Sequence, residues 1–94
     1  MADEVRNPGH YEGATVDCMT AMASLLDYQP EHTPEGRYVT GAALYWLGCT
    51  FKYVWRAFRK NGLKDLLKAR QCLEYLIGEL YGPDGLEAMW GASE

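Results

Sequence analysis

The stretch from Leu44 to Lys60 constrains the fold most, because it combines a helical apolar repeat with a basic stripe. Its large apolar residues recur at spacings of three and four, as on one side of an α-helix, and they are Leu44, Leu47, Phe51, Val54 and Phe58. About 140° round the same helix, at roughly 100° per residue, lie Lys52, Arg56, Arg59 and Lys60. We therefore expect a helix that packs on the core with one side and presents cations on another.

Two further helices are predicted to flank this central helix, which we place at 38–60. The first spans 15–27 with Thr15 as its N-cap, and its predicted buried residues are Val16, Met19, Met22, Ala23 and Leu26. The third spans 63–81, and its predicted apolar face consists of Leu66, Ala69, Leu73, Leu76, Ile77 and Leu80. Asn61 and Gly62 end the central helix, since both residue types readily adopt the left-handed conformation. A turn this tight predicts an antiparallel helix hairpin.

The remaining segments contain turn-forming residues instead of a helical repeat. We expect an extended N-terminal arm at 1–14, a proline-rich loop at 28–37 and a tail at 82–94. The tail contains one short helical turn, and it either folds back on the bundle or engages a neighbouring chain. No run alternates with the two-residue period of a strand, so the predicted class is all-α, a small helical bundle in one domain, 1–94.

Size and composition indicate self-association. A domain of 94 residues buries only about 60–65% of the surface of its unfolded chain. Hydrophobic residues nevertheless make up 48% of this chain, more than so thin a core can hide. We therefore expect a homo-oligomer. The sequence has no run of 18 apolar residues that would cross a membrane.

The distribution of charge indicates a small anionic ligand. The formal net charge is −4, yet seven of the nine lysines and arginines fall between Lys52 and Arg70. Overall repulsion from a phosphate backbone opposes non-specific duplex binding, whereas a local basic strip suits a small anion in a pocket. The three cysteines, Cys18, Cys49 and Cys72, stand singly, which favours reduced thiols in a cytosol.

Sequence signatures of common enzyme classes are missing. The chain has no phosphate-binding P-loop, no dinucleotide fingerprint, no H-E-x-x-H zinc motif and no G-x-S-x-G nucleophile elbow. We assign no catalytic residue, no metal ligand and no cofactor. Kinase chemistry needs a phosphate cradle, a metal carboxylate and a lid, which a chain of this size supplies only across subunits, with Mg²⁺ and ATP.

The candidate ligand-binding residues are cations and aromatic rings on the central helix and near its ends. Lys52, Arg56 and Lys60 stack at intervals of four, and either an anion or bulk solvent relieves their mutual repulsion. Aromatic rings beside such cations suit a base stacked above a phosphate. Asp65 is explained by the helix dipole at the start of the third helix. The candidate residues are His10, Tyr11, Tyr45, Lys52, Tyr53, Arg56, Lys60, Lys64 and Lys68.

Several of these residues belong to motifs that resemble a known family. Asn7-Pro8-Gly9-His10-Tyr11, Gly48-x-x-x-Lys52-Tyr53-x-x-Arg56-x-x-x-Lys60 and Asp65-Leu66-x-Lys68-Ala69 are similar to the SaV-like family of small bacteriophage proteins, over about Val5 to Leu80. The resemblance implies action in the cytoplasm of an infected bacterium and a link to abortive-infection defences. It also implies a link to nucleotides, since some members carry a nucleotide kinase assignment. Three positions depart from the family pattern, namely Thr20, Cys49 and Lys64. Thr20 and Lys64 each stand where the family has an acidic residue. The loss of these acidic groups weakens a metal-dependent mechanism.

These observations leave three hypotheses. The first is an oligomeric protein that binds a phosphate-bearing or cyclic nucleotide and sequesters a host immune signal without chemistry. The second is a nucleoside monophosphate kinase assembled across subunits. The third is an adaptor that inhibits a host defence enzyme through protein–protein contacts.

Overall fold

The computed structural model describes residues 15–91, and within them the protein is all-α, as the sequence predicts. The chain forms α1 (Cys18–Asp27), α2 (Gly41–Arg56), a short 3-10 turn (Ala57–Arg59) and α3 (Leu63–Gly91). Predictions for the arm at 1–14 and for the last three residues of the tail lie outside the described residues.

Side-chain caps set where α1 and α2 begin. Asp17 accepts a hydrogen bond from the Thr20 amide at 2.8 Å, so α1 starts at Cys18 and the cap is Asp17 instead of the predicted Thr15. An aspartate at this position satisfies a free amide and also favours the positive helix end. The Thr40 hydroxyl likewise accepts from the Ala43 amide at 3.0 Å, and α2 begins just after it.

The end of α2 is tighter than the sequence predicts. The α-helix stops at Arg56, and residues 57–59 continue as the 3-10 turn. The Gly62 amide then donates to the Ala57 carbonyl at 2.6 Å, with Gly62 at φ 56°. This left-handed residue reverses the chain direction and starts α3.

The tail folds back on α3 instead of stopping at its end. Gly82 has φ 64° and ψ −158°, so the helical stretch divides into a first segment, 63–81, and a second segment, 83–91. A Cβ placed on Gly78 would lie 3.5 Å from Leu86 Cδ1. The Arg70 guanidinium lies 4.3 Å from the centre of the Trp90 ring, although the two residues are 20 apart in sequence. The second segment therefore returns along the first.

The central helix, α2, packs against both other helices, whereas α1 and α3 scarcely touch each other. Contacts pair Thr40 with Glu79 near one end of α2 and Arg56 with Asp65 at the other. On the other side of α2, a Cβ on Gly48 would lie 3.5 Å from Met22 of α1. The described helices thus form an open row, with α2 in the middle.

The core of this row consists of small side chains. The buried apolar residues within 15–91 are Cys18, Ala43, Ala57, Ala69 and Cys72. Such residues let two helices approach closely but bury little apolar area. Three predicted buried residues of α1 are exposed, namely Val16, Met19 and Ala23, because only the side with Met22 and Leu26 meets α2.

Two core predictions for α2 are also wrong. Val54 is 55% exposed and Phe58 is 90% exposed, so the apolar stripe is covered only as far as Phe51. On α3, Leu66 and Leu73 are exposed as well, whereas Leu76, Ile77 and Leu80 are half-buried. The helical period was predicted correctly, but the open row offers no third element to cover this end of the stripe.

The loop between α1 and α2 is held against the end of the first segment of α3. The Tyr81 hydroxyl donates to Glu35 Oε1 at 2.7 Å, and the Arg37 guanidinium lies 5.8 Å from the Tyr81 ring centre. Under the loop is a mainly apolar cavity of about 190 Å³, lined in part by Leu44 and Leu76. The loop thus completes the apolar contact between α2 and α3 at this end.

Candidate anion-binding site

A buried ion pair joins the end of α2 to the start of α3. Arg56 Nε lies 3.3 Å from Asp65 Oδ2, the Asp65 side chain is 0% exposed and that of Arg56 is 11% exposed. Arg56 Nη2 donates to Asp65 Oδ1 at 3.4 Å, and the Asn61 amide donates to the same oxygen at 3.1 Å. The turn at Gly62 brings these three side chains together.

Burial alone would raise the pKa of Asp65. The hydrogen bonds from Asn61 and Arg56 and the Arg56 charge outweigh burial, so the pKa lies below the 3.8 of an ordinary aspartate. The carboxylate is therefore charged at neutral pH and neutralises Arg56. Asp65 lies in the first turn of α3, as the interpretation from the helix dipole requires, and it also forms an ion pair that the sequence did not predict.

Three cations surround the ring of Tyr53. The Arg56 guanidinium lies 4.9 Å from the ring centre, Lys68 Nζ lies 5.6 Å away and Lys52 Nζ lies 5.9 Å away. Attraction to the ring face is worth about 0.5–1 kcal/mol for each exposed cation, which holds the amino groups close without neutralising them. We call Lys52, Tyr53, Arg56 and Lys68 the cation cluster.

The cation cluster carries excess positive charge. Asp65 balances Arg56, but across residues 15–91 no carboxylate oxygen lies within 4.0 Å of Lys52 or Lys68. Both lysines are exposed, so a ligand can reach them from solvent. Two unbalanced ammonium groups beside an aromatic ring suit a dianionic phosphate.

An apolar groove begins at Lys52 and runs between α1 and α2. It has a volume of about 200 Å³, and its lining residues are Met22, Leu26, Leu44, Tyr45, Gly48, Cys49 and Lys52. Gly48 has no side chain to fill the groove. Lys52 belongs both to this groove and to the cation cluster, so the two form one continuous surface.

The Cys49 thiol and the Tyr45 phenol line the groove, and the buried Cys72 thiol lies near Cys49. A hydrogen bond with Cys49 is the main cause of the raised pKa of Tyr45. Burial, followed by the proximity of Cys49, raises the pKa of Cys72. Tyr45 and Cys72 are therefore protonated at neutral pH, and neither is activated as a nucleophile.

The structure brings together four of the nine predicted ligand-binding residues, those of the cation cluster. Tyr45 lies in the adjacent groove, with its ring 4.9 Å from that of Trp46 in an edge-to-face arrangement. Lys60 and Lys64 are exposed near the turn. His10 and Tyr11 lie outside the described residues.

Sequence reasoning missed Asp65 as the partner of Arg56 and missed Asn61 as a donor to it. A signal was available, because residues at similar distances before and after a tight turn face each other when two helices pack side by side. The same relation pairs Trp46 with Tyr75, whose ring centres are 4.6 Å apart. Arg56 is therefore a structural cation, and within the cation cluster Lys52 and Lys68 are the exposed cations that can meet a ligand.

Residues 15–91 contain no group of three or more His, Cys, Asp or Glu side chains placed to hold one metal ion. In the same part of the chain, none of the helices combines the length and apolarity that crossing a membrane requires.

A known family model matches most of the chain. The family model described as "Protein of unknown function (DUF3310)" matches residues 5–74. No curated protein and no solved structure matches the chain. The matched range covers α1, α2 and the start of α3, so it contains the whole cation cluster and the groove.

Proposed function

The chain belongs to the family described as proteins of unknown function (DUF3310), and we propose that it binds a phosphate-bearing nucleotide and retains it without chemical change. The phosphate lies between Lys52 and Lys68, and the base occupies the groove beside Tyr45. Tyr53 holds the two ammonium groups in position.

One observation carries this proposal, namely that Lys52 is shared by the cation cluster and the apolar groove. A nucleotide has the same two parts, an anion and a flat, largely apolar base, joined over a short distance. The groove of about 200 Å³ is large enough for a base. Neither the cluster nor the groove alone distinguishes a nucleotide from inorganic phosphate or from an apolar ligand.

Charge balance supports the choice of a phosphate. Because Asp65 neutralises Arg56, the two positive charges of Lys52 and Lys68 remain. These two charges balance the two negative charges of a terminal phosphate. Charge-assisted hydrogen bonds are roughly twice as strong as neutral ones. Since both lysines are exposed, we expect affinity to fall as salt is added.

The resemblance to SaV-like bacteriophage proteins supplies the biological part of the proposal. In that setting the protein acts in the cytoplasm of the infected host and sequesters a nucleotide signal of host defence, linear or cyclic. The kinase hypothesis predicts a phosphorylated product and the adaptor hypothesis predicts a protein partner, so the fate of a bound nucleotide separates both from sequestration.

Isothermal titration with nucleoside monophosphates, cyclic dinucleotides and their phosphate-free nucleosides tests the proposal. We expect Lys52→Met and Lys68→Met each to weaken nucleotide binding by about ten-fold, since each removes one charge-assisted contact. The control is Arg59→Met, which removes an exposed cation outside the cluster and should leave the affinity unchanged. Equal losses in all three variants would mean that binding reflects overall charge.

Recovery of the ligand shows whether binding leads to chemistry. After heat denaturation of the complex, sequestration predicts that the nucleotide is recovered intact. Conversion of a monophosphate that requires Mg²⁺ and ATP would support the kinase hypothesis instead. Absence of any nucleotide binding, together with a co-purifying host protein, would support the adaptor.

A further inference from the structure

The contact between α2 and α3 keeps one register along much of its length. In three observed pairs, the residue of α2 and the residue of α3 lie equally far from the turn that joins the two helices. These pairs, at 3.3, 5.6 and 4.6 Å, are Arg56–Asp65, Tyr53–Lys68 and Trp46–Tyr75. Their positions repeat at intervals of three and seven residues, so they share one side of each helix.

Cys49 and Cys72 lie in the same register. Cys49 is seven residues before the arginine of the buried ion pair, and Cys72 is seven residues after its aspartate. Along α2, one observed pair lies three residues before Cys49 and another lies four residues after it. The two cysteines therefore face each other in the middle of the contact between α2 and α3.

The two thiols differ in their access to solvent. Cys72 is 8% exposed, whereas Cys49 is half-buried and lines the groove between α1 and α2. Burial, and then the proximity of Cys49, raises the pKa of Cys72, which agrees with thiols placed side by side. A dissolved molecule in the groove can therefore reach Cys49, while Cys72 is shielded behind it.

We propose that Cys49 and Cys72 form a reversible disulfide when hydrogen peroxide enters the groove. The Cys49 sulfur attacks the peroxide and the O–O bond breaks, which gives a sulfenic acid on Cys49 and one water. The Cys72 thiol then attacks the Cys49 sulfur, the S–O bond breaks, the S–S bond forms and a second water leaves. The two thiols thus lose two electrons and two protons, and the peroxide is reduced to water.

The fold favours the second of these steps. A disulfide joins residues whose Cα atoms lie about 4.4–6.8 Å apart, and the small buried residues of this core allow helices to approach closely. A thiol kept protonated reacts poorly with a dissolved oxidant, so Cys72 waits for the sulfenic acid opposite it. That attack is intramolecular, which favours it over attack by a dissolved thiol. Disulfides of cytosolic proteins are usually transient or redox-sensing, as a reversible bond here would be.

Peptide mapping after oxidation tests the proposal. Trypsin places each cysteine in a different peptide, because it cleaves after Arg37, Lys52 and Arg70. The folded full chain is treated with hydrogen peroxide, and its free thiols are then alkylated. We expect peptides 38–52 and 71–94 to be linked and lighter by two hydrogen atoms than the two thiol peptides together. Dithiothreitol should restore both thiols.

Three alanine variants complete the mapping experiment. Cys18→Ala should still give the linked peptides, whereas Cys49→Ala and Cys72→Ala should not. Linkage through Cys18, linkage between two chains, or oxidation that leaves Cys72 open to alkylation would overturn the proposal. No nucleotide is present in this experiment, so its result is independent of nucleotide binding.

Thermal unfolding provides a second measurement. The disulfide closes the segment 49–72 and so restricts the unfolded chain, and peroxide should raise the midpoint of the wild type by roughly 10 °C. Dithiothreitol should reverse this rise. Cys49→Ala is the matched control, since it has the same methionines and reports any effect of their oxidation. An equal rise in Cys49→Ala would overturn the proposal.

Discussion

At the scale of single residues, Arg56 and Asp65 determine which cations can meet a ligand. Arg56 stacks on Tyr53 and pairs with a fully buried carboxylate. Removing either charge would leave the other one buried without a partner, which is far more costly than losing a surface ion pair. The basic stripe of α2 therefore divides into a structural arginine and the exposed Lys52.

The same carboxylate gives the protein a defined sensitivity to acid. The pKa of Asp65 is lowered on folding, so the folded state binds fewer protons than the unfolded state at acidic pH. The stability contributed by the Asp65 carboxylate is thus fully present above about pH 5 and is lost as the pH falls through 3.8 and below. We expect Asp65→Asn to reduce this loss, as measured by urea unfolding at a series of pH values.

Asn61→Ala provides the matched comparison for the acid response. It removes one of the hydrogen bonds that lower the pKa of Asp65 but keeps the carboxylate. The acid-induced loss of stability should therefore be smaller than in the wild type and be complete at a higher pH, because the unfolded-state pKa that sets its onset is unchanged. An Asp65→Asn variant with an unchanged pH profile would show that other carboxylates dominate, among them Asp17 and Glu35, whose pKa values are also lowered by hydrogen bonds.

At the scale of elements, Gly82 determines the path of the tail. Its φ of 64° and ψ of −158° belong to a region that is essentially restricted to glycine. Gly82→Ala should therefore destabilise the protein by about 1–3 kcal/mol and loosen the contact of Trp90 with Arg70. Thermal unfolding and the emission of the tryptophans measure these two effects.

Gly41→Ala is the control for this substitution. Gly41 is the first residue of α2, has no positive φ and has no atom within 4 Å of an added Cβ. Alanine favours a helix over glycine, so this variant should be neutral or slightly more stable. If Gly82→Ala and Gly41→Ala had the same free energy of unfolding, a side chain at position 82 would not strain the backbone.

The sequence predicted the helices well because their signals are local. The apolar spacing from Leu44 to Phe51 and the left-handed Gly62 each depend on residues close in the chain. The exposure of Phe58 depends on what else packs nearby, which no local repeat can specify. For the same reason, the sequence predicts two alternatives for the tail and does not choose between them.

The candidate site was predictable only in part, for a related reason. Lys52, Tyr53 and Arg56 share one helix, so their proximity follows from helical geometry. Lys68 joins them because α3 packs beside α2 in one register, which also buries Asp65 against Arg56. Ala57 and Ala69 are buried there, and of these two only Ala69 belongs to the apolar face that the sequence predicts.

At the scale of the whole molecule, thermal stability should depend on protein concentration. If the chain forms the expected homo-oligomer, unfolding separates its copies, and mass action stabilises the folded form as concentration rises. Each tenfold increase should raise the midpoint of thermal unfolding by roughly 3–5 °C. A wild-type midpoint that is constant from about 1 to 100 µM would instead assign all of the stability to contacts within one chain, despite its core of small side chains.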